Sequence, residues 1–188
     1  MMEDKQIKRI SRFLSFVLRH QPGTIGIELD QHGWADVNEL IRKSNEYGVV
    51  FDRAILDDVV ATNSKKRFAF NETSDKIRAS QGHSIEIELG YVAQKPPEIL
   101  FHGTGEKSVS SILQNGLEKR DRQHVHLSAD FHTAVNVGQR HGKPYVFEVL
   151  AGKMYTNDFQ FFLSDNGVWL TDFVPAEYLK PSKEGVTS

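Results

Sequence analysis

The sequence predicts an α+β protein built as two lobes, residues 1–90 and 91–188. Three observations predict it. Residues 10–80 read as three short amphipathic helices followed by a hairpin, and Lys95-Pro96-Pro97 then stiffens a connector. Beyond that connector, short apolar strands dominate over helices. At 188 residues the chain is long enough for two separate cores.

The first helix is marked by Ile10, Phe13, Leu14, Val17 and Leu18, which recur at helical spacing and form one apolar stripe. Arg19 falls opposite that stripe, on the side that carries Arg12. Pro22 disfavours helical geometry at Gln21, so the helix should stop at Arg19-His20. Gly26–Leu29 reads as a very short strand and Gln31-His32-Gly33 as a turn. Asp36 and Glu39 form a capping-box pattern for a second helix ending near Gly48, and Asp52 caps a third. Arg67–Asn71 and Lys76–Ser80 alternate as the two arms of a hairpin, with Phe68 and Phe70 on its core face. Gln81–Ser84 follows as a polar loop. Three helices and a hairpin are the winged-helix arrangement, used on nucleic acid and also as a protein contact.

In the second lobe, Ile99–His102 reads as a buried strand leading into Gly103-Thr104-Gly105. A helix around Val109, Ile112 and Leu113 ends at Asn115-Gly116. His124–Ser128 is a strand with both histidines on one face, and a helix through Ala134 and Val137 enters Gly138–Gly142. Strands at Tyr145–Leu150, Phe159–Leu163 and Val168–Thr171 complete the lobe, and Lys183–Ser188 reads as a frayed tail.

Composition removes several kinds of chemistry. With no cysteine, disulfides, thiolate metal sites and a cysteine nucleophile are excluded. The net charge is −2, and neither half is basic: 13 Lys+Arg against 14 Asp+Glu in residues 1–90, 10 against 11 in the rest. Nucleic acid would have to bind through local clusters such as Lys65-Lys66-Arg67 or Lys119-Arg120-x-Arg122. No long apolar run or signal-peptide pattern is present, so the cytoplasm is the expected compartment and no membrane is a partner. No heptad seam is evident, which favours a monomer.

Gly103–Ser108 lacks the glycine a phosphate-binding loop needs before its lysine, and it lacks the third glycine of a dinucleotide fingerprint. His124-x-His126 has no supporting metal-ligand pattern, so no metal is expected. What remains is arginines beside histidines in turns: Arg19-His20, Arg67 and Arg140-His141. A guanidinium fork matches phosphate oxygens, and an imidazole exchanges a proton near neutrality. The plain alternative is a set of surface ion pairs and, at Arg19, a cation that complements a helix dipole.

A resemblance bears on that choice. Phe13–Pro22, Gly33–Val37, Lys65–Phe68, Gln81–Ser84, His102-Gly103-Thr104, Val125–Ser128, Gly138–Gly142 and Asn166–Leu170 resemble, in order, the motifs of the KptA-type RNA 2′-phosphotransferase family. The resemblance implies a winged-helix RNA-binding lobe and an ADP-ribosyltransferase-like lobe that binds NAD⁺. The implied substrate is an RNA carrying an internal 2′-phosphate, as tRNA splicing leaves. That phosphate attacks the nicotinamide ribose, expels nicotinamide and gives an ADP-ribosylated RNA phosphate. A ribose hydroxyl of the adduct then attacks phosphorus, releasing the RNA 2′-OH and ADP-ribose 1″,2″-cyclic phosphate. The family's essential set falls on Arg19, His20, Arg67 and Arg140. The NAD⁺ set falls on His102, Gly103, Thr104, His126, Ser128 and Val168, and Lys65, Lys66, Gln81 and His83 are implied RNA contacts. Two other readings compete: an ADP-ribosyltransferase that caps nucleic-acid end phosphates, and a non-catalytic winged-helix binding protein.

Overall fold

The computed structural model describes residues 4–182 as an α+β chain whose contacts separate into two compact units between Gly90 and Tyr91. Lys183–Ser188, expected to fray, lies outside the described residues.

The first unit runs α1 (Asp4–Arg19), β1 (Ala35–Asp36), α2 (Val37–Glu46), α3 (Arg53–Ala61), β2 (Phe68–Phe70) and β3 (Lys76–Ala79). The stripe read from the sequence anchors α1: Ile10, Leu14, Val17 and Leu18 are at most 2% exposed. Each such side chain contributes about 1.5–3 kcal/mol by leaving water, so packing rather than propensity holds this helix. Its end is set as expected, because a 3₁₀ turn at Pro22–Thr24 follows at once. Asp36 accepts from the Glu39 amide at 2.8 Å and Asp52 from the Ile55 amide at 2.9 Å, which starts α2 and α3. The hairpin pairs Phe68 with Ala79 and Phe70 with Ile77. A third strand, β1, pairs on the other side of β3, so β3 is central and Ile77 is fully buried.

Gly26–Leu29 is not a strand. The amides of Gly26 and Ile27 bond back to Gly23 and Pro22, and Gly26 takes φ +70°, a left-handed conformation that breaks extended geometry. Ile25 and Ile27 are buried all the same, by a turn rather than by a pleat.

The second unit runs β4 (Leu100–Gly105), α4 (Val109–Asn115), β5 (Leu117–Glu118), β6 (Val125–Leu127), α5 (Phe131–Gly138), β7 (Pro144–Val149), α6 (Ala151–Thr156), β8 (Phe162–Leu163), β9 (Trp169–Thr171), β10 (Phe173–Val174) and β11 (Leu179–Pro181). Three antiparallel sheets result, in the orders β11-β7-β4, β6-β9-β8 and β10-β5. Leu100, Leu127, Phe147, Val149, Met154 and Phe161 form the centre of their core. The strand expected to end at His102 continues through Gly105, because β7 offers a partner for every residue to Pro144. The expected strand Phe159–Leu163 keeps only Phe162 and Leu163 in register with β9. No helix among the described residues is long and apolar enough to cross a membrane.

Candidate active site

In the first unit a five-residue segment does the assembling. The Ser80 amide donates to the Arg67 carbonyl at 2.8 Å and the Ser80 hydroxyl to the Lys66 carbonyl at 2.8 Å. Four residues on, the Ser84 amide donates to the Arg19 carbonyl at 3.0 Å, and Ser84 Oγ is hydrogen-bonded to His20 Nδ1 at 2.9 Å. Residues 80–84 therefore clip the start of the hairpin to the end of α1. Four residue steps span at most about 14 Å, so the segment holds the backbones of Arg67 and Arg19 in one part of the unit. The Ser84 contact occupies one ring nitrogen of His20, Nδ1, and so fixes the orientation of the imidazole.

The expected polar loop is not a surface loop throughout. His83 is 1% exposed, and neither of its ring nitrogens has a hydrogen-bond partner among the described residues. Burial first, then the positive charges of Arg19, His20 and Arg78, lower its pKa from 6.5 to about 4. A neutral imidazole thus stands behind the Arg19-His20 pair, a place that does not suit the direct RNA contact expected of it. Arg78 is held by a cation–π contact 4.5 Å from the Trp34 ring and by the Leu89 carbonyl at 3.3 Å. Lys65 and Lys66 are exposed, Gln81 is half-buried, and Lys66 takes φ +42° where the loop turns.

In the second unit the expected residues come together at a junction of strands. Phe101 and Ser128 exchange both amide bonds, at 2.9 and 2.8 Å, which brings the end of β6 against β4. His102 Nδ1 donates to the His126 carbonyl at 3.1 Å, leaving Nε2 as an acceptor. Burial, against that hydrogen bond and with help from Arg120, Arg122 and His141, lowers the pKa of His102, so it is neutral at pH 7. Carried one step past Leu127 and Trp169, the β6–β9 register sets Val168 opposite Ser128. Thr104 is buried in β4.

The glycines of His102-Gly103-Thr104-Gly105 have a packing reason that the sequence did not reveal. A Cβ on Gly103 would stand 1.7 Å from the Ala134 carbonyl oxygen, and one on Gly105 2.4 Å from that of His141. Helix α5 and the turn carrying Arg140 sit directly on β4. Arg140 itself is exposed, in the 3₁₀ turn Gln139–His141.

One residue was left in an unassigned cluster. Arg122 donates to His126 Nδ1 at 2.9 Å, and its pKa is lowered by desolvation and then by the charge of Arg140. Its basic neighbours in sequence were the only available signal. The two histidines of His124-x-His126 diverge: His124 packs its ring 5.7 Å from that of Phe162. No group of three or more His, Cys, Asp or Glu able to hold a metal occurs among the described residues.

Comparison with known proteins bears on what these sites serve. Residues 5–173 match the model of the family described as RNA 2'-phosphotransferase, Tpt1 / KptA family. A probable RNA 2'-phosphotransferase of Flavobacterium johnsoniae is 54% identical over 95% of this chain and 98% of its own length. Similarly named proteins of Agrobacterium fabrum and Acaryochloris marina are 52% and 48% identical, each over 93% of this chain and 94% and 97% of their own lengths. With the match running through both units and across nearly the whole chain, this protein belongs to the RNA 2'-phosphotransferase, Tpt1 / KptA family.

Proposed function

We propose that this chain removes an internal 2′-phosphate from RNA with NAD⁺ as the consumed co-substrate. Its first unit would then serve as a winged-helix RNA lobe and its second as an ADP-ribosyltransferase-like lobe. The observation that carries the reading is the clip at residues 80–84, which fastens Arg19-His20 and Lys66-Arg67 to one short segment.

Arg19 and Arg67 hold the 2′-phosphate by charge-assisted hydrogen bonds. The phosphate is already an anion, so its attack needs positioning and no strong base. NAD⁺ supplies the electrophilic ribose carbon and the leaving nicotinamide. In the second step, displacement at phosphorus leaves charge on equatorial oxygens, which arginines stabilise. The His20 imidazole delivers the proton that the departing RNA 2′-oxygen requires, with Ser84 orienting the ring as a positioning residue. Arg140 is assigned to the same phosphate by the family resemblance. Lys65, Lys66 and Gln81 contact the RNA, and His83 keeps a neutral ring beneath the pair.

The donor set of the second unit fits NAD⁺. His102 Nε2 can accept from a ribose hydroxyl, and Ser128 lies next to it on the strand bridged to β4 at Phe101. The backbone at Gly103 would hold the nicotinamide amide, and Thr104, His126 and Val168 would complete the cleft.

The test is an RNA oligonucleotide with one internal 2′-phosphate, incubated with and without NAD⁺ and followed by mass spectrometry. The expected outcome is loss of one phosphate, with nicotinamide and an ADP-ribose cyclic phosphate formed only when NAD⁺ is present. RNA that gains ADP-ribose and stops there would replace this reading by an adduct-forming transferase. Untouched RNA and NAD⁺ would leave a non-catalytic binding protein.

A further inference from the structure

Helix α1 carries a second feature, on the face turned away from its core. Lys5, Lys8, Arg9 and Arg12 are all exposed and line one shallow groove. At 100° per residue they share roughly 100° of arc with Phe16, which is 44% exposed, and with Arg19 at the helix end. No acidic residue occurs in residues 5–27, whereas residues 28–90 carry twelve Asp+Glu against eight Lys+Arg. This strip is therefore positive without internal neutralisation, in a unit that is otherwise net acidic.

That concentration works against the helix. Lys5 with Arg9 and Lys8 with Arg12 are like charges at i,i+4, and they repel. They also sit in the N-terminal half, where the helix dipole is already positive. Elsewhere in the unit the same spacing is used for attraction: Arg42 meets Glu46 at 2.7 Å on α2, and Arg53 meets Asp57 at 2.8 Å on α3. None of the four α1 cations has an ion-pair or hydrogen-bond partner among the described residues. A surface that is only solvated gains nothing from this pattern; an anionic ligand reverses its sign.

We infer that the outer face of α1 is a track for the sugar-phosphate backbone of the RNA strand flanking the 2′-phosphate. The inference rests on the proposed function for its end point at Arg19-His20. From Lys5 to Arg19 the helix rises about 21 Å, the length of about six stacked nucleotides at roughly 3.4 Å each. The cations recur about once per turn, and Phe16 gives a ring on which one base can stack. A membrane surface is a poorer occupant, because a helix lying in lipid needs a free apolar face and that of α1 is sealed in the core.

The test compares the full chain with a variant carrying Lys5→Gln, Lys8→Gln, Arg9→Gln and Arg12→Gln. Two 2′-phosphorylated RNAs are used, a minimal one and one with about ten flanking nucleotides on each side, long enough to cover the track at the spacing above. For the long RNA, affinity should fall at least tenfold at low salt, and the slope of log Kd against log salt should shrink by about 3. The preference in kcat/KM for the long RNA over the minimal one should collapse, while the melting temperature stays level or rises as repulsion is relieved. An unchanged slope and preference would overturn the track. So would an equal loss on both RNAs accompanied by a lower melting temperature. Binding of the wild type to phosphatidylserine vesicles that the substitutions abolish, with RNA affinity untouched, would assign the face to a membrane instead. If the wild type turns over neither RNA, the proposed reaction fails, and the salt slope still decides the track.

Discussion

The two candidate sites are held in place by different physics. In the first unit, Arg19-His20 and Lys66-Arg67 lie at element ends, and a handful of hydrogen bonds from Ser80 and Ser84 set their spacing. In the second, His102, Ser128 and the turn of Arg140 are set by a strand bridge and by an α5–β4 approach so close that only glycine fits at residue 103. The first can shift by local rearrangement, as loops that bind ligands do. The second cannot move without unpacking a core, so its geometry and its stability are the same property.

That contrast predicts how the two sites fail. Arg19→Ala or Arg67→Ala should cut phosphate removal by about 10²–10³-fold, the usual cost of a lost charge-stabilising donor, with little change in melting temperature. Gly103→Ala should fail in the opposite sense. Its Cβ meets backbone at Ala134, so stability should drop by about 3 kcal/mol or more, read as a lowered urea midpoint before any activity is measured. A Gly103→Ala protein of normal stability would break the comparison.

His83 sharpens it through pH. Its folded pKa of about 4 lies below the ordinary 6.5, so above pH 6.5 it adds no pH dependence. As pH falls from 6.5 toward 4, the unfolded chain takes up a proton that the folded ring refuses. Stability should fall over that window by about 2–3 kcal/mol and then level off. His83→Phe should flatten that part of the profile in urea unfolding at pH 7 and pH 4.5; an unchanged profile would remove His83 as its source.

Ser84→Ala carries the smallest expected effect. It should lower kcat about tenfold with KM nearly unchanged and displace the alkaline limb of the pH–rate profile, where a general acid is lost, and Ser84→Thr should restore both. His20→Ala should instead accumulate the ADP-ribosylated RNA, visible by mass spectrometry. A Ser84→Ala enzyme with wild-type kcat and pH profile would show that α1 alone orients His20.

Much of this was legible in the chain because it is local. The α1 stripe and the caps at Asp36 and Asp52 depend on residues three or four positions apart, and the hairpin on two alternating arms joined by one short turn. The proposed site residues were legible through the resemblance of short motifs, taken in order, to those of the family. What lay outside the sequence depends on partners far along the chain. Strand β1 exists because Ile77 stands opposite Ala35, and β4 extends through Gly105 because Pro144 faces it. Arg122 reads in the sequence as one member of a basic cluster, and only the fold brings its guanidinium to His126. His83 reads as a loop polar residue and is a buried neutral base, since burial belongs to the fold and not to the residue type. Sequence by itself determined which groups are available and where α1 to α5 form, because caps and apolar periodicity act within a few residues, whereas α6 (Ala151–Thr156) carries no such signal. Tertiary structure alone decided which groups meet, because the clip at residues 80–84 and the contact of Gly103 with Ala134 join segments that share no local signal.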